Sequence, residues 1–393
     1  MPNQRFLCFP DKINMKIVYV ANSRIPTEKA HGIQIMKMCE AFAKLGHEVN
    51  LVIPRRFNPI VNDTFEYYKV KRIFKVTKLP VIDMVPLGRF GFIIELISFS
   101  ISAFAYVLLK PKDSIVYSRD ELPLLLISFF RKNIFWETHV GRLHAVAKSV
   151  ARRAKGIVVI SNGLKNLYLK SGIPDDKIIV APDGVDFLQF AVPNSKEEAR
   201  IKLWLPQDKN IIMYTGHLYY WKGARVLAEA ARLLTDKELV VFVGGTERDI
   251  KSFREKTRNI KNILVLGKKP HADIPFYLKA ADILVLPNSG KNEISAKYTS
   301  PMKLFEYMAS GMLIVASDLP SIREILDNET AHFFRADDSG DLAKTLKSSL
   351  QDKGGGEKSS HALDLVKSYS WENRAKLILS FLNLSGLNKI NSR

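Results

Sequence analysis

The chain has 393 residues, enough for two domains of ordinary size. A composition of 47% hydrophobic and 25% charged residues is globular, and the absence of repeats and low-complexity tracts excludes fibrous and disordered classes. With 59 Lys and Arg against 40 Asp and Glu, the formal charge of +19 implies an anionic partner: nucleic acid, a membrane surface or a phosphorylated substrate. The two cysteines, Cys8 and Cys39, form no framework, so a reducing cytoplasm is expected. No signal peptide is read, and residues 1–14 precede a typical first strand as an extension or a mis-assigned start.

In chain order, Lys16–Ala21 is a short apolar strand, Asn22–Gly32 a loop, Ile33–Leu45 a helix stopped by Gly46, and Val49–Ile53 the next strand. This strand–loop–helix–strand unit opens a doubly wound parallel sheet, without the G-x-G-x-x-G fingerprint or the GxxxxGK[ST] phosphate loop. Basic residues are dense at Lys69–Lys78, shortly before an apolar segment, Phe90–Leu109. That pairing favours an anionic membrane over nucleic acid, for which no zinc-finger or RNA-binding signature is present; a basic surface serving solubility is the alternative. Phe90–Leu109 is long enough to span a bilayer. It carries one polar stripe, Glu95, Ser98 and Ser102, and three readings stay open: a buried helix, an interfacial helix and a span.

Strands at Ser114–Ser118, Ile134–Glu137, Gly156–Ile160 and Ile178–Ala181, with helices Arg142–Arg153 and Asn162–Ser171, complete the first sheet. His139 lies just past a strand's carboxyl end, where open parallel sheets bind ligands, or is a surface histidine in a loop. Pro182–Asp186 ends the domain, and the polar Val192–Asp208 reads as a linker with a short helix. Strands Ile211–Thr215, Leu239–Val243, Ile263–Leu266, Ile283–Leu286 and Leu313–Ala316 then alternate with helices Arg225–Leu234, Arg248–Thr257, Ile274–Ala280 and Pro301–Ala309. The fold class is therefore α/β, two doubly wound domains facing a cleft.

Two stretches of the second half carry chemistry. In TGHLYYWKG, Gly216 lets backbone approach a ligand and Lys222, followed by Gly223, supplies a mobile cation. In YTSPMKLFEYMASG, Ser300 reads as an N-cap and Pro301 as the first helical residue, with Gly311 as the stop. A helix terminus there offers the amides of Met302 and Lys303 to phosphate. Glu306 lies roughly 7 Å further along the axis, about the distance from a nucleotide's phosphate to its ribose hydroxyls. An ordinary capped helix with a solvated glutamate is the alternative.

These motifs resemble those of the retaining glycosyltransferases of family 4, which have the GT-B fold. Gly216, Leu218, Lys222 and Gly223 match G-R-L-x-x-x-K-G, with His217 in place of arginine. Pro182–Asp186 resembles P-N-G-V-D, with Asp183 in place of asparagine. Of the family's two glutamates, Glu306 matches the second and Tyr298 stands in place of the first. The resemblance implies an acceptor-side domain at 1–191, a nucleotide-sugar domain at 192–369, and a last helix within 370–393 that crosses back to the first domain.

It also implies site roles. Gly32, Gly216, His217, Lys222, Pro301, Met302 and Lys303 would hold the donor diphosphate, Glu306 the ribose, and His139 and Tyr298 the donor sugar, with His139 and Lys222 catalytic. The expected reaction moves a sugar from a nucleoside-diphosphate donor to an acceptor hydroxyl, with retention. The acceptor is a lipid-linked or cell-envelope glycan, and the location is cytoplasmic, on the inner face of the membrane. No D-x-D occurs, which fits diphosphate held by lysine and a helix terminus without metal or other cofactor. Alternatives are a GT-B nucleotide-sugar epimerase and a non-catalytic binding protein with a degenerate donor site.

Overall fold

A computed structural model describes residues 14–141, 143–352 and 354–387. Cys8, the N-terminal extension and Arg142 lie outside the described residues, and the helix expected from Arg142 begins at Ala145.

The first sheet contains β1 (Lys16–Val20), β2 (Glu48–Pro54), β3 (Lys75–Leu79), β4 (Ile115–Ser118), β5 (Ile134–Thr138), β6 (Gly156–Val159) and β7 (Ile178–Val180). The order is β3-β2-β1-β4-β5-β6-β7, and every described pair is parallel. Central strands such as β4 and β5 are buried at every residue, as short apolar runs in a sheet covered on both faces must be. The second sheet contains β8 (Asn210–Thr215), β9 (Glu238–Val243), β10 (Ile263–Gly267), β11 (Ile283–Leu286), β12 (Leu313–Ser317) and β13 (His332–Phe334). Its order, β10-β9-β8-β11-β12-β13, is again parallel. Both sheets reverse direction of winding beside their first strand, and open parallel sheets bind ligands outside the carboxyl ends at that point.

The strand β3 was not expected, because it lies inside the basic run. Lysines at positions 75 and 78 keep an edge strand soluble and hide its sheet character from a hydrophobicity reading. Along the segment read as a linker, Ser195 and Glu198 form a capping box for the Lys196–Leu203 helix. Buried Arg200 then fastens that helix to Asp282 at 2.6 Å, so it packs on the second domain.

Trp371–Leu387 is one helix. Trp371, Ala375, Ile378, Leu379 and Leu382 are buried in a cluster with Ile17, Tyr19 and Leu51, so the end of the chain closes one face of the first sheet. Gly156 is needed opposite it, since a Cβ there would meet the Phe381 ring at 2.5 Å. Arg374 reaches further in and donates to Glu137 Oε1 at 2.9 Å and to the carbonyl of Pro182 at 2.9 Å. Neither member of that ion pair is more than 2% exposed. Replacing Arg374 with Ala leaves a buried carboxylate without its cation, a loss of about 3–5 kcal/mol. Chemical denaturation of Arg374→Ala should show that loss, and a stability within about 1 kcal/mol of wild type would contradict it.

Candidate functional site

The first-domain wall is built at the carboxyl ends of β1, β4 and β5. Glu137, the penultimate residue of β5, is fully buried. Its Oε1 accepts from Gln34 Nε2 at 2.6 Å and from Arg374, and lies 2.6 Å from His139 Nε2; its Oε2 accepts from the Tyr117 hydroxyl. Burial alone would raise this carboxyl, but the Arg374 charge and the His139 ring outweigh it and hold it well below the usual carboxylate range. An ionised Glu137 can only accept, so Nε2 of His139 carries the proton and Nδ1 is left as an acceptor. Burial and then the nearby Arg119 depress the His139 pKa, keeping the ring neutral. Arg119 Nη1 donates to Gln34 Oε1 at 2.8 Å, which closes a chain from Arg119 through Gln34 to Glu137.

The loop after β1 completes this wall. Asn22 donates its backbone N–H to Asp120 at 2.6 Å, and Thr27 donates its own to the Tyr68 hydroxyl, also at 2.6 Å. Gly32 sits in the first turn of the Ala30–Lys44 helix. The space beside its Cα is filled by the Tyr68 hydroxyl and the Thr27 methyl, 2.3 and 2.6 Å from where a Cβ would stand. Beside it His31 is depressed to about 4 by burial and by Arg119.

The second-domain wall gathers Gly216, His217, Lys222, Lys303 and Glu306. Gly216 leaves β8 at φ +120°, and Gly244 packs so closely that a Cβ there would meet the Gly216 carbonyl at 2.4 Å. Gly223, at φ +72°, abuts the Pro287 carbonyl in the same way. His217 stacks on Tyr219 with ring centroids 4.8 Å apart, and its buried Nδ1 has no hydrogen-bond partner among the described residues. Lys222 is depressed by burial, with Glu306 opposing.

Lys303 is the second cation. It is 7% exposed, its Nζ lies 3.9 Å from the Tyr214 ring centroid, and it has no hydrogen-bond partner among the described residues. Burial first, and Lys222 second, push it well below the ordinary lysine range. Two desolvated lysines thus lie within electrostatic reach, with Glu306 as the carboxylate that offsets them. Glu306 is itself held by His271 Nε2 at 3.0 Å. Such a cluster is electrostatically incomplete and suited to an anion.

The Met302–Ser310 helix is capped differently from the expectation. Pro301, at ψ 120°, is the N-cap and Met302 the first helical residue. The Ser300 hydroxyl accepts from the Asp183 N–H at 3.1 Å, because the neighbouring turn of the first domain competes for it. Ser300 therefore joins the domains. Tyr298 does likewise: it is 9% exposed, belongs to an apolar cluster of the first domain, and its ring fills the space where Gly141 would carry a Cβ, at 2.4 Å. Met302 also packs against the first domain's core. Glu324 receives the N–H groups of Asn162 and Gly163 at 2.8 and 3.3 Å, and Ser161 donates to the Lys297 carbonyl at 3.2 Å. The His217 pKa is lowered by burial first and by Lys222 next, with Lys29 of the first domain as a small further contributor.

Residues 209–352 match the family model of the glycosyl transferases group 1. The match falls within the second domain. The fold is GT-B: the chain superposes over 94% of its length on the whole of a UDP- and glucose-bound Anabaena protein, Alr3699/HepE, with a TM-score of 0.75 at 14% identity. Among curated relatives, the Escherichia coli UDP-Gal:alpha-D-GlcNAc-diphosphoundecaprenol alpha-1,3-galactosyltransferase is 28% identical over 183 residues, 44% of this chain and 45% of that protein. The Campylobacter jejuni N,N'-diacetylbacillosaminyl-diphospho-undecaprenol alpha-1,3-N-acetylgalactosaminyltransferase is 27% identical over 187 residues, 46% of this chain and 47% of that protein. The matched region thus spans about half the length of these relatives.

Sequence reasoning missed Glu137, Gln34, Arg119, Arg374 and His271 as parts of the site. The spacing Glu137-Thr138-His139 was a signal, since alternate residues leaving a strand can meet when the chain turns. The others come from distant segments and carry no local sign.

Two outcomes test this geometry. In an NMR titration His31 should stay neutral until about pH 4, with His139 also below the ordinary range. A histidine held low favours the folded state above about pH 6.5 and loses that contribution as pH falls toward its folded value. Arg119→Gln should move both titrations upward; unchanged values would show that Arg119 does not face them. Separately, Lys303→Met removes a desolvated cation beside Lys222 while keeping its bulk, so its denaturation midpoint should rise, and a fall would mean that the Tyr214 ring and Glu306 outweigh the desolvation.

Proposed function

We propose that this chain is a retaining, metal-independent glycosyltransferase. It moves a hexosyl group from a nucleoside-diphosphate sugar to a hydroxyl of a lipid-linked or cell-envelope glycan, at the cytoplasmic face of an anionic membrane. The observation that carries the reading is the pair of desolvated lysines, Lys222 and Lys303, beside Glu306 and the helix amides of Met302 and Lys303. Lipid-linked acceptors in the names of two relatives support the acceptor class.

In this mechanism the anomeric C–O bond to the leaving diphosphate breaks and a C–O bond to the acceptor hydroxyl forms on the same face. The departing diphosphate gathers negative charge and takes the acceptor's proton. Lys222, Lys303 and the amides stabilise that charge most where it grows, which is the condition for a preorganised site to accelerate the chemical step. Glu306, oriented by His271, accepts from the ribose hydroxyls. Neutral His139 presents Nδ1 to a donor-sugar hydroxyl and positions the sugar without removing a proton. Tyr298, in contact with Gly141, backs the loop that carries His139.

Screening UDP-, GDP- and ADP-sugars by thermal stabilisation and by nucleoside-diphosphate release tests the reading. One nucleotide class should stabilise the protein and be turned over with acceptor. Lys222→Ala should lower kcat by about two orders of magnitude, the loss of one charge-stabilising donor. Glu306→Ala should weaken nucleotide binding, and Lys303→Met should abolish most of the nucleotide-induced stabilisation. A free epimer formed without acceptor would assign an isomerase, and stabilisation without release would assign a binding protein.

A further inference from the structure

The Arg89–Leu108 helix is amphipathic the wrong way round for a helix bordered by water. Its buried positions are Gly91, Glu95, Phe99, Ala103 and Val107, at a spacing of four, with Ser100 beside them, so one face lies on the first domain. The polar stripe belongs to the inner side. Glu95 accepts from Asn22 Nδ2 at 3.2 Å, Ser98 accepts from the Ile82 N–H at 3.0 Å, and Ser102 donates to the Pro80 carbonyl at 2.7 Å. The outward stripe is apolar: Phe90, Ile93, Ile97, Ile101 and Leu108, each between 43% and 70% exposed. The patch continues through Phe104, whose ring lies 5.1 Å from that of Phe130, itself 66% exposed. A contiguous apolar face of this extent marks an interaction surface.

Charge selects the partner. Between Asp83, which is paired with Arg56, and Asp113, the acid is buried Glu95, while Arg89, Lys110 and Lys112 flank the two ends of the exposed stripe. Two copies meeting on this face would bring those cations together in a chain already at +19, whereas an anionic lipid surface neutralises them.

We propose that this face docks on an anionic bilayer, with the Arg89–Leu108 helix lying in the plane of the interface. It does not cross the bilayer, because its inner face is committed: Phe99, Ala103 and Val107 are in the first-domain core, and Arg131 donates to the carbonyls of Val107 and Lys110 at its end. The docking helix is joined directly to the cleft through Glu95 and Asn22, the residue that follows the end of β1 and Ala21. Seating the helix therefore sets the loop after β1 next to the lipid, where a membrane-borne acceptor would arrive. The proposal deepens the reading of a lipid-linked acceptor but is independent of the donor chemistry.

The test is co-sedimentation of the full chain with vesicles of phosphatidylcholine, with and without phosphatidylglycerol. Wild type should bind the mixed vesicles, release at high salt or in alkaline carbonate, and bind pure phosphatidylcholine more weakly. Ile97→Gln/Ile101→Gln should weaken binding about tenfold or more, with nucleotide-induced stabilisation retained as the sign of an intact fold. Arg89→Glu/Lys112→Glu, on the exposed rim, gives the same readout if the first variant misfolds. Wild type left in the supernatant, or both variants binding like wild type, would overturn the proposal. Retention in carbonate would assign a span instead. A dimer in solution that the isoleucine variant converts to a monomer, without vesicle binding, would assign the face to a second copy. Vesicle binding with no response to any nucleotide sugar would leave this proposal standing and sink the glycosyltransferase reading alone.

Discussion

Much of this structure depends on one buried carboxylate. Glu137 has no contact with water, and it is kept ionised by the guanidinium of Arg374. An isolated charge in that position would neutralise itself; a fully hydrogen-bonded one holds several elements in register. Four groups converge on it: Arg374 from the end of the chain, Gln34 from the first helix, the Tyr117 hydroxyl from β4 and the ring of His139. Because the carboxylate can only accept, it also decides which nitrogen of His139 bears the proton. A stabilising pair and the orientation of a site residue are thus the same interaction, seen from two sides.

The cleft between the domains is closed at its base by short contacts that use backbone as much as side chains. Ser300 and Asp183, Glu324 and the amides of Asn162 and Gly163, and Ser161 and the Lys297 carbonyl all link the two sheets. Tyr298 and Met302 add apolar weight to this seam. These residues neighbour Lys303 and Glu306 in sequence, so the helix that carries the cation–carboxylate cluster is positioned by the other domain. The arrangement retains a local electrostatic cost, two desolvated lysines with Glu306 beside them, of the kind that binding sites keep for an anionic ligand.

The first domain contributes a second polarity. Its long apolar helix turns its serines and glutamate toward the protein and Ile93, Ile97 and Ile101 away from it. The same buried glutamate reaches the loop at the edge of the cleft, which ties an outward-facing surface to an inward-facing site through two side chains.

By itself the sequence determined the class of fold, with its two doubly wound sheets, and it singled out the candidate phosphate end of the site. Those features are local: apolar runs of strand length, helices stopped by Gly46 and Gly311, and a lysine at fixed distance from a glycine after a strand. Only the tertiary structure decided what the partners are. Glu137 and Arg374 are 237 residues apart, Tyr298 meets Gly141 across a domain boundary, and Lys303 feels the charge of Lys222 from a different element. No periodicity records such meetings. The helix at Arg89–Leu108 shows the same division: its stripe of Glu95, Ser98 and Ser102 is legible in one dimension, but which side faces the protein depends on hydrogen bonds to Asn22, Ile82 and Pro80, which folding alone brings near.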